Sequence, residues 1–283
     1  MKKIFVLTML FAACAAGQGF CQGKDSVQVK GSDTMVNLGQ AWAEKYMERA
    51  GGSIAVTGGG SGTGFASLLS KTCDIAMSSR TIKAQEISQA RVRGIEPKEI
   101  KVALDGIAVV VNPKNPVEKL TLDQLAGIFT GRIANWKDVG GADLPIVILS
   151  REVNSGTHVY FKEHVLRKND PASQEEFSAG ALMLSSSQAI ADEVASNTGA
   201  IGYYGMGYIS AKQKALSVAK DAASPYEKPT VENVISGAYP ISRPLFFYTN
   251  GEPQGAAKRF VDFCLSPEGQ QIVAQTDFVP LQK

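Results

Sequence analysis

Three short stretches of the 283-residue chain share one chemical character: Ser32-Asp33-Thr34, Ser61-Gly62-Thr63 and Ser155-Gly156-Thr157. Each puts hydroxyls and small residues between an apolar, strand-like run and the first turn of a helix-like one. Such a turn suits an anion. The first helical N–H groups lack intrahelical partners, the helix dipole places partial positive charge there, and glycine allows close approach to the backbone. One turn of this kind is an ordinary Ser or Thr N-cap. Three of them, at the carboxyl ends of strands, fall where open α/β sheets bind ligands. A further turn, Ser78-Ser79-Arg80, adds a cation, and Arg151 stands four residues before Ser155, within reach of an anion held there. Each Arg also has a plain reading as a surface ion pair worth about 0–1 kcal/mol. A helix N-terminus offers roughly 0.3–2 kcal/mol and a charge-assisted hydrogen bond roughly 1.5–3, so several together reach the roughly 8 kcal/mol of micromolar binding.

The elements that must position these turns follow from periodicity. Residues 27–30 read as a strand, and Met35, Leu38, Trp42, Tyr46 and Met47 then recur at helical spacing. The unit repeats as strand 53–57, glycine-rich turn 58–64 and helix 65–70, and again as strand 74–77, turn 78–80 and helix 84–92. The β-branched run 102–111 is a buried strand ending at Asn112-Pro113, and 121–129 is a helix capped by Thr121 with Gly131 just beyond its end. Strand 146–150, turn 151–156 and helix 157–166 restart the pattern, followed by strands 200–204 and 244–249 and a last helix over 255–274. Alternating strands and helices predict an α/β fold with largely parallel sheets. Strands near residues 104 and 244 that cross between two sets of such units predict two domains that the chain enters twice, 25–103 plus 240–283 and 104–239, with the ligand between them.

Composition sets the limits. With 29 basic against 27 acidic residues, a net charge of +2 and no run of five like charges, a nucleic-acid or polybasic membrane role is disfavoured. Residues 1–24 read as an export signal and joint: Lys2 and Lys3, an apolar run over 4–13, then small residues. That run falls short of the ~20 residues that span a bilayer. The mature chain is therefore expected outside the cytoplasm, periplasmic or on the outer face of the membrane. Phe11-Ala12-Ala13-Cys14 resembles a lipobox, so lipid anchoring through Cys14 stands beside simple cleavage. Cys21, Cys73 and Cys264 are widely spaced, and Cys73 and Cys264 read as small buried apolar residues rather than a disulfide. No metal or other cofactor is expected. His158 and His164, six apart, form no HExxH or Cys/His pattern and read as solvated helix residues; Ser61-Gly62-Thr63-Gly64 lacks the Lys of a phosphate-hydrolysing P-loop. The chain is expected not to be an enzyme.

The motifs Gly31-Ser32-Asp33-Thr34, Gly58-Gly59-Gly60-Ser61-Gly62-Thr63-Gly64 and Asp74-Ile75-Ala76-Met77-Ser78-Ser79-Arg80 stand in a fixed order. They are followed by Asp105-Gly106-Ile107-Ala108-Val109-Val110-Val111-Asn112, Ile128-Phe129-Thr130-Gly131 and Ser150-Arg151-Glu152-Val153-Asn154-Ser155-Gly156-Thr157. Together they resemble successive motifs of the phosphate-binding proteins of ABC-type importers. The resemblance implies a hinged two-domain binding protein of the periplasmic type II class, monomeric, that delivers phosphate to a membrane permease and ATPase. Its ligand residues would be Ser32, Asp33, Thr34, Met35 through its backbone N–H, Ser61, Ser79 and Arg80 from the first domain, and Arg151, Ser155, Gly156 and Thr157 from the second. Some members carry, in the third turn, an Asp that accepts the proton of the bound phosphate. Ser79 stands there in this chain, leaving its hydroxyl, Asp33 or Glu152 as acceptor and weakening discrimination against sulfate. Another tetrahedral oxyanion (sulfate, molybdate or tungstate) is the alternative ligand.

Overall fold

The computed structural model describes residues 26–281. The export segment, Cys14 and Cys21 lie outside the described residues. The strands are β1 (Ser26–Gly31), β2 (Ser53–Thr57), β3 (Ile75–Ser78), β4 (Pro97–Val111), β5 (Lys119–Thr121), β6 (Val147–Arg151), β7 (Leu182–Leu184), β8 (Ala200–Gly205), β9 (Lys214–Ala215), β10 (Ser217–Ala219) and β11 (Ser242–Asn250). The helices are α1 (Val36–Ala50), α2 (Ser61–Leu69), α3 (Ala84–Val92), α4 (Leu122–Phe129), α5 (Gly156–Phe161), α6 (Ser187–Ser196), α7 (Val231–Ile235), α8 (Gly255–Leu265) and α9 (Pro267–Gln275).

Nine strands form one continuous sheet in the order β2-β1-β3-β11-β4-β8-β6-β7, with β9 pairing β4 off that path. The pairs β1–β2, β1–β3, β6–β8 and β6–β7 are parallel, as βα units require. The middle differs from the expected parallel pattern: β11 runs antiparallel to both β3 and β4, and β4 antiparallel to β8. The chain returns from one lobe to the other there, and a returning strand that pairs with its predecessor must run the other way. One strand serves both lobes. Up to Gly106, β4 pairs with β11; from Ile107 to Val111 it pairs with β8.

Side chains alternate across each lobe's sheet, so each face has its own core. Ile107, Val109 and Val111 pack with Leu125, Phe129, Trp136, Phe161 and Tyr203, while Ala108 and Val110 face Leu149, Ile190 and Tyr204. In the other lobe Val27, Val29, Ile75 and Phe247 pack with Trp42, Phe260 and Phe278, and on the opposite face Ala76, Phe246 and Tyr248 meet Phe65. Trp42, fully buried at helical spacing from Leu38, also donates its indole N–H to the Gly269 carbonyl at 2.7 Å and so anchors α9 on α1. Cys73 and Cys264 are free and buried, in keeping with the apolar reading.

Several boundaries differ from the sequence expectation for local reasons. The expected last helix over 255–274 is two helices, because Pro267 cannot donate to an intrahelical bond; Ser266 caps the second, accepting from the Gly269 N–H at 3.2 Å. The helix expected over 157–166 begins at Gly156 and loosens after Phe161 into a π-turn over Lys162–Leu166. The helix expected from 65 starts four residues earlier, at Ser61. Helix α6, absent from the sequence reading, has its N-cap at Ser186.

Candidate functional site

Local backbone chemistry brings the turns together. At the end of β1, Gly31 adopts φ +139°, and a Cβ there would collide with the Met77 carbonyl, so Ser32 can follow it closely along β3, donating its N–H to Met77 O at 2.9 Å. Asp33–Met35 then form a 3-10 turn into α1, in which the Met35 N–H donates to Ser32 O at 3.1 Å. After β2, Gly59 and Gly60 adopt φ +129° and +97°, left-handed values that only glycine takes readily, and Ser61 becomes the first residue of α2. After β6, Ser155 caps α5, its hydroxyl accepting from the Thr157 and His158 N–H groups at 3.2 and 3.4 Å.

The two lobes meet at these turns. Thr34 and Thr157 are joined hydroxyl to hydroxyl at 2.8 Å across 123 residues. Gly156 lies so near the first lobe that a Cβ on it would fall 2.6 Å from Ser79 Oγ and collide with Ser61 Oγ. The Ser61 hydroxyl accepts from the Ser79 N–H at 3.1 Å. The Gly62 N–H donates to Asn154 O and the Asn154 side-chain amide donates to Gly59 O, each at 2.9 Å. Ser32, Thr34, Ser61, Ser79, Ser155 and Thr157 are all buried, and the Ser32 hydroxyl has no partner among the described residues. Hydroxyls that can donate are thus gathered from two lobes at one contact.

The charged residues divide differently from expectation. Arg151, 1% exposed, donates through Nη1 to Ser187 Oγ and through Nη2 to Ser185 O, both at 2.9 Å, and pairs with Asp33 Oδ2 at 3.1 Å. The same Asp33 oxygen accepts from the Ser187 N–H and hydroxyl at 2.8 and 3.0 Å. Asp33 thus ties the first lobe to the start of α6 in the second. Burial lowers the Arg151 pKa and the Asp33 charge opposes that. Arg80 does not turn toward the hydroxyls: its guanidinium forks onto Glu86 at 2.7 and 2.8 Å and lies over the Phe65 ring, because Glu86 stands in the first turn of α3 and takes both donors. Met35 buries its side chain in the core, and Glu152 is exposed.

One cation in the cluster escaped the sequence reading. Arg243 of β11, 2% exposed, sits opposite Asp105 in the strand register and donates to its Oδ2 from Nε at 3.1 Å and from Nη2 at 2.9 Å. Nη2 also reaches Thr157 Oγ1, and Nη1 reaches Ser79 O, both at 2.9 Å. Burial raises the Asp105 pKa against the pull of Arg243. The strand expected over 244–249 begins at Ser242 in the structure, so Arg243 falls inside it rather than just before it. Arg151 and Arg243 against Asp33 and Asp105 leave these four side chains formally neutral, with both carboxylates paired.

The histidines are not solvated. His158 is 3% exposed, packed against Phe177 with ring centroids 4.6 Å apart, and His164 is half-buried and stacked on Tyr160. Periodicity alone does not show that α5 and the π-turn lie under 177–178. Burial, then the charge of Lys162, lowers the His158 pKa from 6.5 to about 4. A folded-state pKa below the unfolded value means that the unfolded chain binds more protons between the two. The contribution is therefore intact above pH 6.5 and is lost as pH falls from 6.5 to about 4. Urea unfolding across that window should show a loss of on the order of 3 kcal/mol that His158→Gln removes; equal slopes for both proteins would refute it.

The match to a family model, described as PBP superfamily domain, covers residues 16–268. The chain is 33% identical over 297 residues to the phosphate-binding protein PstS of Bacillus subtilis, covering 99% of this chain and 93% of that protein. It is 31% identical over 271 residues to the PstS of Pseudomonas aeruginosa, covering 89% and 81%. The fold matches, with a TM-score of 0.81 and 34% identity, the X-ray structure of a Clostridium perfringens protein described as a phosphate ABC transporter substrate-binding protein with bound phosphate, covering 91% of this chain and all of that one. Two lobes on one shared strand, hydroxyl-lined turns in contact across the cleft, and these similarities lead to one assignment: the chain belongs to the PBP superfamily and, within it, to the phosphate-binding protein family of PstS.

Proposed function

We propose that this protein binds inorganic phosphate outside the cytoplasm, without catalysing a reaction, and delivers it to the membrane permease and ATPase of an ABC-type importer. One observation carries the reading: donor hydroxyls from opposite lobes meet within hydrogen-bonding distance, Thr34 to Thr157, beside two buried arginines. Phosphate would bind Ser32, Thr34, Ser61 and Ser79 of a domain formed by residues 25–103 and 240–283, and Arg151, Ser155, Gly156 and Thr157 of a domain formed by 104–239. The change of β4 partner after Gly106 supports that division. The relatives named for phosphate binding support the ligand, and the basic and apolar start of the sequence supports export, with Cys14 as the candidate lipid anchor. Among the described residues, no helix is long and apolar enough to cross a membrane. The protein would work as a monomer.

A second reading, a receptor for sulfate or another tetrahedral oxyanion, has an observation of its own. Asp33 and Asp105 are both engaged by arginine, and the third turn offers the Ser79 hydroxyl, so among the described residues no unpaired carboxylate lines the cluster to demand a proton from the ligand. Calorimetric titration with phosphate and with sulfate separates the two. Micromolar or tighter phosphate binding, about 8 kcal/mol or more, with weaker sulfate supports phosphate; equal affinities support the second reading. X-ray scattering should show a smaller radius of gyration with phosphate, because one anion must draw both sets of donors together. Phosphate release from a chromogenic phosphate ester should stay at the background rate.

A further inference from the structure

We propose that Arg243 is a positioning residue of the anion site: from the hinge strand it fixes the Thr157 hydroxyl and ties both lobes to the pair it makes with Asp105. The inference rests on the phosphate-binding reading for its ligand, and on this chain's own geometry for everything else.

A guanidinium has five N–H groups and no acceptor. Arg243 spends Nε and one Nη2 hydrogen on Asp105 Oδ2, the other Nη2 hydrogen on Thr157 Oγ1 and one Nη1 hydrogen on Ser79 O. One N–H is left, in a residue 2% exposed. The partners come from three places. Asp105 belongs to β4, the strand that pairs with elements of both lobes; Ser79 follows β3 of the first lobe; Thr157 lies in the first turn of α5 in the second. The guanidinium therefore joins hinge, first lobe and second lobe at one point.

Its effect on Thr157 is chemical as well as mechanical. A hydroxyl has one hydrogen and two lone pairs. With Arg243 filling a lone pair of Thr157 Oγ1, the Thr157 proton must point elsewhere, to Thr34 or to an oxyanion between them. A hydroxyl free to rotate would present a lone pair to an anion as readily as a proton. Arg243 takes one of its two lone pairs and turns its proton away from the guanidinium, which biases Thr157 toward donating on the side that faces Thr34. Asp105 aims the guanidinium in turn: its second oxygen accepts from the Met206 N–H at 3.1 Å, which fixes the carboxylate to the turn that follows β8. Tyr160, under the guanidinium at 5.5 Å and bonded through its hydroxyl to Ser242 O, closes the far side.

The test is a double-mutant cycle read by phosphate calorimetry on wild type, Arg243→Lys, Thr157→Val and the double variant. Arg243→Lys keeps the charge and loses the fork, and should weaken phosphate about 10–100-fold. Thr157→Val should weaken it by a similar factor. If Arg243 acts through Thr157, the double variant is little worse than the poorer single one. Affinity of Arg243→Lys within twofold of wild type, or single losses that multiply in the double variant, would overturn the proposal. Should Arg243→Lys fold poorly, Arg243→Met with Asp105→Leu removes both charges together, a change that buried pairs often tolerate; it must show the same loss. If wild type itself does not bind phosphate, the ligand reading has failed, and amide exchange in ligand-free protein still decides the staple. Arg243→Lys should then speed exchange at residues 79–80 and 157–159, and unchanged exchange there overturns the inference.

Discussion

Arg151→Ala is expected to weaken phosphate binding by about 2–4 kcal/mol, roughly 30-fold to nearly 10³-fold, while leaving the protein folded. Arg151 is 1% exposed and begins the turn that carries Ser155, Gly156 and Thr157, so its charge acts on a phosphate dianion with little solvent screening. Its ties to Ser185, Ser187 and Asp33 use at most four of its five donors, counting a long contact to Leu184 O at 3.4 Å, so one N–H remains for a ligand. The Asp33 partnership makes the expectation sharper. If Arg151 serves only to neutralise Asp33, Arg151→Ala with Asp33→Asn should restore affinity, because the ion pair disappears as a unit. If Arg151 grips phosphate, the double variant stays weak, and Asp33→Asn alone leaves phosphate binding unchanged or tighter. A third outcome assigns Asp33 the ligand's proton: Asp33→Asn then weakens phosphate and strengthens sulfate. Calorimetry with both anions on the three variants separates these cases, and unaltered phosphate affinity in folded Arg151→Ala would refute the expectation.

What the sequence made legible was local. Ser155 caps α5 and Gly60 turns the chain into Ser61 because each conformation is decided by residues two or three apart, and Thr121 caps α4 through the box it makes with Gln124 for the same reason. The family resemblance added the partition of the turns between lobes. What stayed hidden was long-range polar pairing. Arg243 meets Asp105 at a sequence separation of 138 and Thr157 at 86, and Asp33 meets Ser187 at 154, distances over which hydrophobic periodicity carries no information. Arg80 shows the converse error. Its proximity to Ser79 suggested an anion ligand, but Glu86, six residues later and one turn into α3, is nearer and oppositely charged. Burial of His158 was hidden likewise, since the ring that covers it, Phe177, lies in a segment without regular structure.

Gly156→Ala should abolish closure around the ligand without harming the fold. Gly156 is the first residue of α5, a position where alanine is at least as comfortable as glycine, and its φ lies outside the left-handed region, so the substitution carries no backbone strain. The obstacle lies across the cleft. A methyl there would collide with Ser61 Oγ and stand 2.6 Å from Ser79 Oγ and 3.0 Å from Ser61 Cβ. Rotating the Ser61 hydroxyl away does not suffice, because Ser61 Cβ is fixed by the start of α2 and the hydroxyl would give up the Ser79 N–H. Overpacking of this size typically costs about 1–3 kcal/mol, and here it is incurred only when the lobes come together. Phosphate affinity should therefore fall about 10–100-fold, the scattering radius should stay at its ligand-free value at phosphate concentrations that compact the wild type, and the ligand-free melting temperature should change by no more than a few degrees. Gly62→Ala supplies the graded control: its Cβ would sit 3.2 Å from Asn154 O, a contact that yields by a few tenths of an ångström, so a smaller loss is expected. Wild-type affinity and compaction in Gly156→Ala would mean that the lobes bind phosphate without approaching as closely as Thr34 and Thr157 do, and that the donors act from one side at a time.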